Sequence, residues 1–150
     1  MLNVRASFHR LLDSIREMNV PLLTETTQPE KLPCYRVQWL SAEVPRGANF
    51  FARNVLIHLV GSSSKDVSPR EGTYEIEMRA ERLLTALRLG HAGSLAIHPL
   101  YDYAASSSNP ALSGTFLVER SAKGIDVYPP SAADPGRRHL VVSLVLVYQR

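Results

Sequence analysis

Residues 140–148 read LVVSLVLVY and decide the fold. All but one of these residues are aliphatic or aromatic, which is typical of a β-strand. Successive side chains of a strand point to opposite sides, so the even-numbered residues would line one face and the odd-numbered residues the other. Because both faces are apolar, we expect both faces of this strand to be buried.

The odd-numbered face of this strand raises a question of burial. A large aliphatic side chain gains about 1.5 to 3 kcal/mol when it is fully buried. Leaving Val141, Val145 and Val147 in water would therefore cost several kcal/mol, and two helices cover only one face of a sheet of this size. Two alternatives remain open: the sheet folds over on itself, or a neighbouring chain covers the remaining face.

Two segments have the apolar periodicity of amphipathic helices. The first lies within residues 4–18, and the second runs from Thr73, a helix-capping residue, to Leu89, with Gly90 placed to stop it. The predicted buried stripes are Val4, Phe8, Leu11, Leu12 and Ile15 in the first helix, and Ile76, Ala80, Leu83, Leu84 and Leu87 in the second.

Further strands are predicted from shorter patterns. Residues 34–40 alternate between apolar and polar, whereas residues 54–60 are apolar on both faces apart from His58. A short strand is expected at 95–98, and a hairpin is expected to join 116–118 to 125–128.

Glycine, serine and proline mark the connections between these elements. Gly124 is predicted to supply a positive φ in the hairpin turn, and segments 61–72, 101–114 and 129–138 are expected to be loops. The sequence thus predicts one α+β domain over residues 1–150. Its twisted mixed or antiparallel sheet of four to five strands would pack against two α-helices, with long loops and a β-hairpin.

Composition narrows the possible classes of protein. The chain has 150 residues, 45% of them hydrophobic, with a net charge of +3 and a single cysteine, Cys34. These values suit one globular domain, and a single cysteine excludes an internal disulfide and a multi-thiolate zinc site within one chain. No apolar stretch is long enough to span a bilayer, and the first residues lack the apolar core of a secretory signal, so we expect synthesis in the cytoplasm.

A search for reactive groups finds no catalytic signature. The five histidines form no spaced metal-ligand pair, and His58 within an apolar strand is expected to be a hydrogen-bonded core or interface residue. The serines lack a nucleophile motif, and residues 61–65 lack the spacing of a phosphate-binding loop. We therefore predict no enzyme activity, no cofactor and no metal site. A small hydrolase would have to use the neighbourhood of His98 and Asp102.

Basic residues concentrate in or beside the predicted loops, so one rim of the domain is expected to be positive. Such a rim is compatible with simple solvation, with assembly or with DNA contact. Specific DNA readout requires a recognisable reading element, and the sequence contains none.

The order of these elements resembles the tail terminator family of long-tailed bacteriophages, of the minor tail protein U type. The similar features are a proline before an alternating first strand (Pro33), the segment Tyr101-Asp102-Tyr103 after the second helix, and an aliphatic closing strand that ends near Tyr148. The likeness in layout covers most of the chain.

This resemblance implies a virion protein of the tail or neck that is assembled in the host cytoplasm. Members form a homo-oligomeric ring, a hexamer, that caps the tail tube, ends tube polymerisation and provides the head-docking surface. The implied partners are the tail tube protein and the head-tail connector protein, with possible passage of DNA through the ring and no membrane contact. A head-tail connector or tail-completion protein of the neck, and a DNA-contacting module, remain alternatives.

The expected subunit or neck interface combines basic rim residues, two aromatic residues and the odd-numbered face of the closing strand. Its members are Arg46, Phe50, Phe51, Arg53, Lys65, Arg70, Arg120, Lys123, Val141, Val145 and Val147.

Overall fold

The computed structural model of the chain describes residues 2–15, 34–62, 69–91, 93–128 and 136–149. These residues form two helices and five strands. In chain order they are α1 (Leu2–Asp13), β1 (Cys34–Pro45), β2 (Phe50–Ser62), α2 (Pro69–Ala86), β3 (Leu95–Asp102), β4 (Ala111–Tyr128) and β5 (Arg137–Gln149).

The strands form one antiparallel sheet in the order β1-β2-β5-β4-β3. The last strand of the chain is therefore the central strand, and β2, for which the sequence at 54–60 suited an internal position, lies beside it. The α+β class and the antiparallel sheet of five strands on two helices are confirmed.

Both described helices pack on one side of the sheet, which we call the helix face. The even-numbered residues of β5, from Leu140 to Tyr148, join the helices in one hydrophobic core. The predicted stripe of α2 is fully confirmed, and in α1 only Leu11 is partly exposed. The core also takes in Phe116 and Val118 of β4 and Val55, Ile57 and Leu59 of β2.

The opposite side of the sheet, which we call the outer face, carries the odd-numbered residues of β5. Val141 and Val147 are only 2% and 7% exposed within a single chain, and Val145 is half-buried. Both valines lie outside the main core cluster. Of the two alternatives, cover by a neighbouring chain is therefore not needed for Val141 and Val147, because one chain already buries both.

Helix α1 contacts both edges of the sheet. The hydroxyl of Ser7 accepts a hydrogen bond from the backbone N–H of Tyr101 in edge strand β3, at 2.8 Å. The next residue, Phe8, packs edge-on against Trp39 in the other edge strand, β1, with ring centroids 5.7 Å apart. Because adjacent residues of one helix contact both edges, the sheet curls towards α1.

The β3 edge carries features that prevent a further strand from pairing with it. The guanidinium of Arg88 donates to the carbonyl of Ile97, and Ser7 accepts from the N–H of Tyr101. Between them lies Pro99, which has no N–H to donate. Side chains and a proline thus occupy the backbone positions that edge pairing would use.

The predicted hairpin between 116–118 and 125–128 is wrong, because both segments belong to the single strand β4. From Arg120 to Ile125 strand β4 advances five residues, while its partner β5 advances only two, from Leu144 to Val142. The extra residues form a bulge, and the positive φ predicted for Gly124 is confirmed at 62°. Turn-forming residues here mark a bulge, a distinction that local sequence does not make.

Helix α2 begins and ends earlier than predicted. It starts at Pro69, which is favoured at a first helical position, and Thr73 lies inside it. The left-handed residue after its end is Arg88, with φ 63°, and not Gly90. The backbone N–H groups of Arg88 and Leu89 donate to the carbonyls of Thr85 and Leu84, which completes a Schellman cap without glycine.

The predicted loops are shorter than expected. Residues 61–62 extend β2 and residues 69–72 begin α2, while residues 63–68 lie outside the described part of the chain. Residues 101–102 end β3 and residues 111–114 begin β4. Of the segment 129–138, residues 137–138 belong to β5, and residues 129–135 are likewise outside the described residues.

Replacing Gly124 by alanine is expected to lower the free energy of unfolding by about 1 to 2 kcal/mol, because an L side chain is strained at its positive φ. Gly90→Ala is the matched control, since its φ is not positive and no atom lies within 4 Å of the added Cβ. Urea unfolding of the two variants measures the difference. Equal stability of both variants would contradict the assigned bulge.

Tyr35 links β1 to α1 and should limit stability at alkaline pH. Its hydroxyl donates to Asp13 at 3.4 Å, and burial, together with the charge of Asp13, raises its pKa to about 12. The unfolded chain loses this proton near pH 10, so stability should fall between pH 10 and 12. Tyr35→Phe should weaken that fall, as urea midpoints at pH 9 and pH 11 would measure. An unchanged alkaline slope would show that the phenol has no such role.

Candidate functional site

The outer face carries an apolar row that crosses the whole sheet. The strand register aligns one apolar residue from each strand: Ile97, Leu117, Val147, Ala52 and Val44. The central Val147 is buried, whereas the terminal members Ile97 and Val44 are 53% and 54% exposed. The row therefore offers apolar contact area at both edge strands.

An ion pair crosses β5 beside this row. The guanidinium of Arg46, in the turn between β1 and β2, lies 2.8 Å from the carboxylate of Glu119 on β4. Glu119 is the direct ladder partner of Val145 on the outer face. Because β5 lies between β2 and β4, the Arg46 side chain has to pass over β5 to reach Glu119.

A chain of polar side chains occupies the other end of the outer face. His58 Nε2 lies 2.8 Å from Gln38 Oε1, and His58 Nδ1 lies 2.9 Å from His139 Nε2. The ring of Tyr128 stacks on that of His139, with centroids 4.8 Å apart. The chain thus connects β1, β2, β5 and β4.

The environment of His58 disfavours its charged form. Burial, the positive charge of Arg36 and the neighbouring His139 together lower the pKa of His58 to about 4. His58 is thus a buried and hydrogen-bonded histidine, as the sequence predicted.

Two of the arginines predicted for the rim are engaged within the chain. Arg53 is buried, its Nε donates to the carbonyl of Leu40 at 2.7 Å, and its guanidinium lies over the ring of Trp39. Arg120 donates to the carbonyl of Leu89 at 3.3 Å and lies 3.9 Å from a carboxylate oxygen of Glu81. The assignment of Arg53 to an exposed rim is wrong, because strand alternation places this side chain on the same side of β2 as the core residues Val55 and Ile57.

The remaining predicted interface residues fall into three groups. Phe50 is exposed at the start of β2, while Phe51 is partly buried and packs against the core. Lys123 is exposed within the β4 bulge. Lys65 and the side chain of Arg70 lie outside the described residues.

His98 and Asp102, the two residues that a hydrolase would have to use, make separate contacts in the structure. His98 is buried on the helix face, where its Nε2 lies 3.2 Å from the carbonyl of Leu87, and burial lowers its pKa. The carboxylate of Asp102 accepts from the backbone N–H of Ala104 at 2.9 Å. Each side chain thus has a local structural partner.

Sequence reasoning missed the apolar row and the pairing of His58 with His139. Both depend on register between strands that are distant in sequence. The sequence predicted a short strand at 95–98, but neither the exposure of Leu95 and Ile97 nor the strands beside them.

Within the described ranges, no three histidine, cysteine or acidic side chains come together in a way that could hold a metal ion. Among the helices of those same ranges, none is long and apolar enough to cross a membrane.

No protein-family model matches the sequence, and no curated protein matches it. Its function is therefore argued from its own residues and from the resemblance in layout.

The Arg46–Glu119 pair should contribute modestly to stability. The two side chains are 51% and 26% exposed, so solvent weakens their attraction. In a double-mutant cycle with Arg46→Met and Glu119→Gln, we expect a coupling of about 0.2 to 1 kcal/mol, and less at high salt. Glu75→Gln, on the exposed side of α2, is the control for general charge effects. Zero coupling at low salt would show that the ion pair does not stabilise the outer face.

Proposed function

We propose that this chain is a structural protein of a tailed bacteriophage that assembles as a ring on the end of the tail tube. In this role it ends tube polymerisation and provides the surface on which the head docks. The proposal is supported by the resemblance in the order of helices and strands, and by the apolar row of the outer face.

The apolar row is the observation that carries the proposal. Its exposed ends, Val44 and Ile97, lie on different edge strands, so they form two different surfaces of one protomer. When two different surfaces of identical copies meet, the contact is head-to-tail, and such contacts close into a ring when the rotation between copies allows it. The resemblance implies six copies. The closing strand itself gives no support, since it is mostly buried within one chain.

Charge substitutions at the two ends of the row test this arrangement. Val44→Glu and Ile97→Glu should each prevent ring formation, because each removes one of the two surfaces that meet. When the two variants are mixed, the intact Ile97 end of the Val44→Glu chain can bind the intact Val44 end of the Ile97→Glu chain. This single contact should give a dimer but no ring. Light scattering over a range of concentrations, with and without isolated tail tubes, measures the assembly state.

Met78→Glu is the matched control, because Met78 on α2 is 54% exposed, like Val44, but belongs to the helix layer. This variant should assemble as the parent chain does. A parent chain that stays monomeric at every concentration and forms no ring on tube ends in electron micrographs would overturn the proposal. Rings that form normally from all three variants would exclude the apolar row as the contact.

A further inference from the structure

The two histidines on the outer face have room for one hydrogen between their facing nitrogens. His58 Nδ1 and His139 Nε2 are 2.9 Å apart, the distance of a hydrogen bond in which one nitrogen donates and the other accepts. If both rings were fully protonated, both nitrogens would carry a hydrogen and would repel each other. The pair can therefore hold one extra proton but not two.

The neighbouring groups fix the direction of this hydrogen bond. Gln38 Oε1 accepts from His58 Nε2, so Nδ1 of the neutral His58 ring is the acceptor for the N–H of His139. If the amide of Gln38 were reversed, both bonds would reverse, and one hydrogen would still lie between the rings.

Charged groups reach the pair from each neighbouring strand. Arg36 of β1 is the ladder partner of His58. Asp126 of β4 pairs with Val141 of β5, and Val141 pairs with His58 on its other side. On β5 itself, Arg137 precedes His139 by two residues and is partly buried. The arginines disfavour added positive charge, and the exposed Asp126 favours it.

We propose that the hydrogen bond between His58 and His139 acts as a proton-operated latch. At neutral pH it holds β2 and β5 together at this end of the outer face, and it breaks when the pair binds a second extra proton, so that both rings are charged. Breaking the contact separates side chains of β2 and β5 at the end of the sheet where Cys34 lies. Cys34 is 1% exposed and is the ladder partner of Val60, which in turn pairs with His139. Release of the latch should therefore make the thiol of Cys34 accessible.

The pH range of the latch follows from the proton affinity of His58. Its pKa is about 4 in the folded chain, against about 6.5 for an unperturbed imidazole. The closed form is therefore fully favoured above pH 6.5 and loses stability as the pH falls from 6.5 towards 4. Opening that takes up one proton becomes about tenfold more favourable for each pH unit in this range.

The reactivity of Cys34 measures latch opening directly, because it is the only cysteine of the chain. The rate of its reaction with 4,4′-dithiodipyridine is compared at each pH with the rate in the urea-unfolded chain, which removes the intrinsic effect of pH on the thiol. This relative rate should rise about tenfold per pH unit below 6.5 in the parent chain.

Matched variants separate the latch from general effects of acid. His139→Phe keeps a ring against Tyr128 but removes the facing nitrogen, so the relative rate should already be high at neutral pH and depend less on pH. His91→Gln changes an exposed histidine outside the pair and should behave as the parent chain does. A flat relative rate in the parent chain from pH 7 to 4 would overturn the latch, and so would an equal response in His139→Phe.

Ring nitrogen NMR of the parent chain gives a second test that needs no variant. The spectra should show His58 as the neutral tautomer with its hydrogen on Nε2 down to about pH 4. Titration of His58 near pH 6.5 without perturbation of His139 would contradict the proposal.

Discussion

The structure depends on the burial of β5 on both of its faces. An apolar strand of this length has to be flanked on both sides, and the chain achieves this by inserting its last strand between β2 and β4. This insertion places two sequence-distant strands next to β5. The features of the outer face that join β2 to β4 follow from those two pairings, since residues of β2 and β4 meet only across β5.

The two faces of β5 are buried by different means. On the helix face, large aliphatic side chains pack against two helices in one core. On the outer face, no described helix lies over the strand. Its valines lie between residues of β2 and β4, and Arg46 reaches Glu119 of β4 from the β1–β2 turn. A polar chain through His58 and His139 borders the same face. The outer face thus combines buried apolar residues with polar contacts, which makes it more sensitive to pH and salt than the core.

Local patterns predicted the elements well and their boundaries less well. The helical stripe from Ile76 to Leu87 and the alternation after Cys34 follow from periodicity, and the two apolar faces of the closing strand indicated that both need burial. The β4 bulge was misread as a hairpin, because Gly124 has the same positive φ in a bulge as in a tight turn. The end of α2 was misplaced because Arg88 occupies a left-handed position that usually belongs to glycine.

The candidate site was harder to predict, because it depends on register. Nothing in the local sequence places Val44 in the same row as Ile97, or His58 beside His139. The burial argument for Val141 and Val147 was wrong because it counted helices as the main cover of a sheet face. Arg53 was misassigned since the charge pattern does not indicate that this side chain lies on the helix face, against the ring of Trp39.

The blocked edge of β3 limits how copies of the protein can associate at high concentration. Backbone-to-backbone stacking, the step that propagates fibrils, requires a row of vacant amide and carbonyl groups, and Arg88, Pro99 and Ser7 interrupt that row on β3. Association at this margin therefore has to occur through side chains. Crowding therefore cannot drive strand-by-strand growth of fibrils from the β3 side of the sheet.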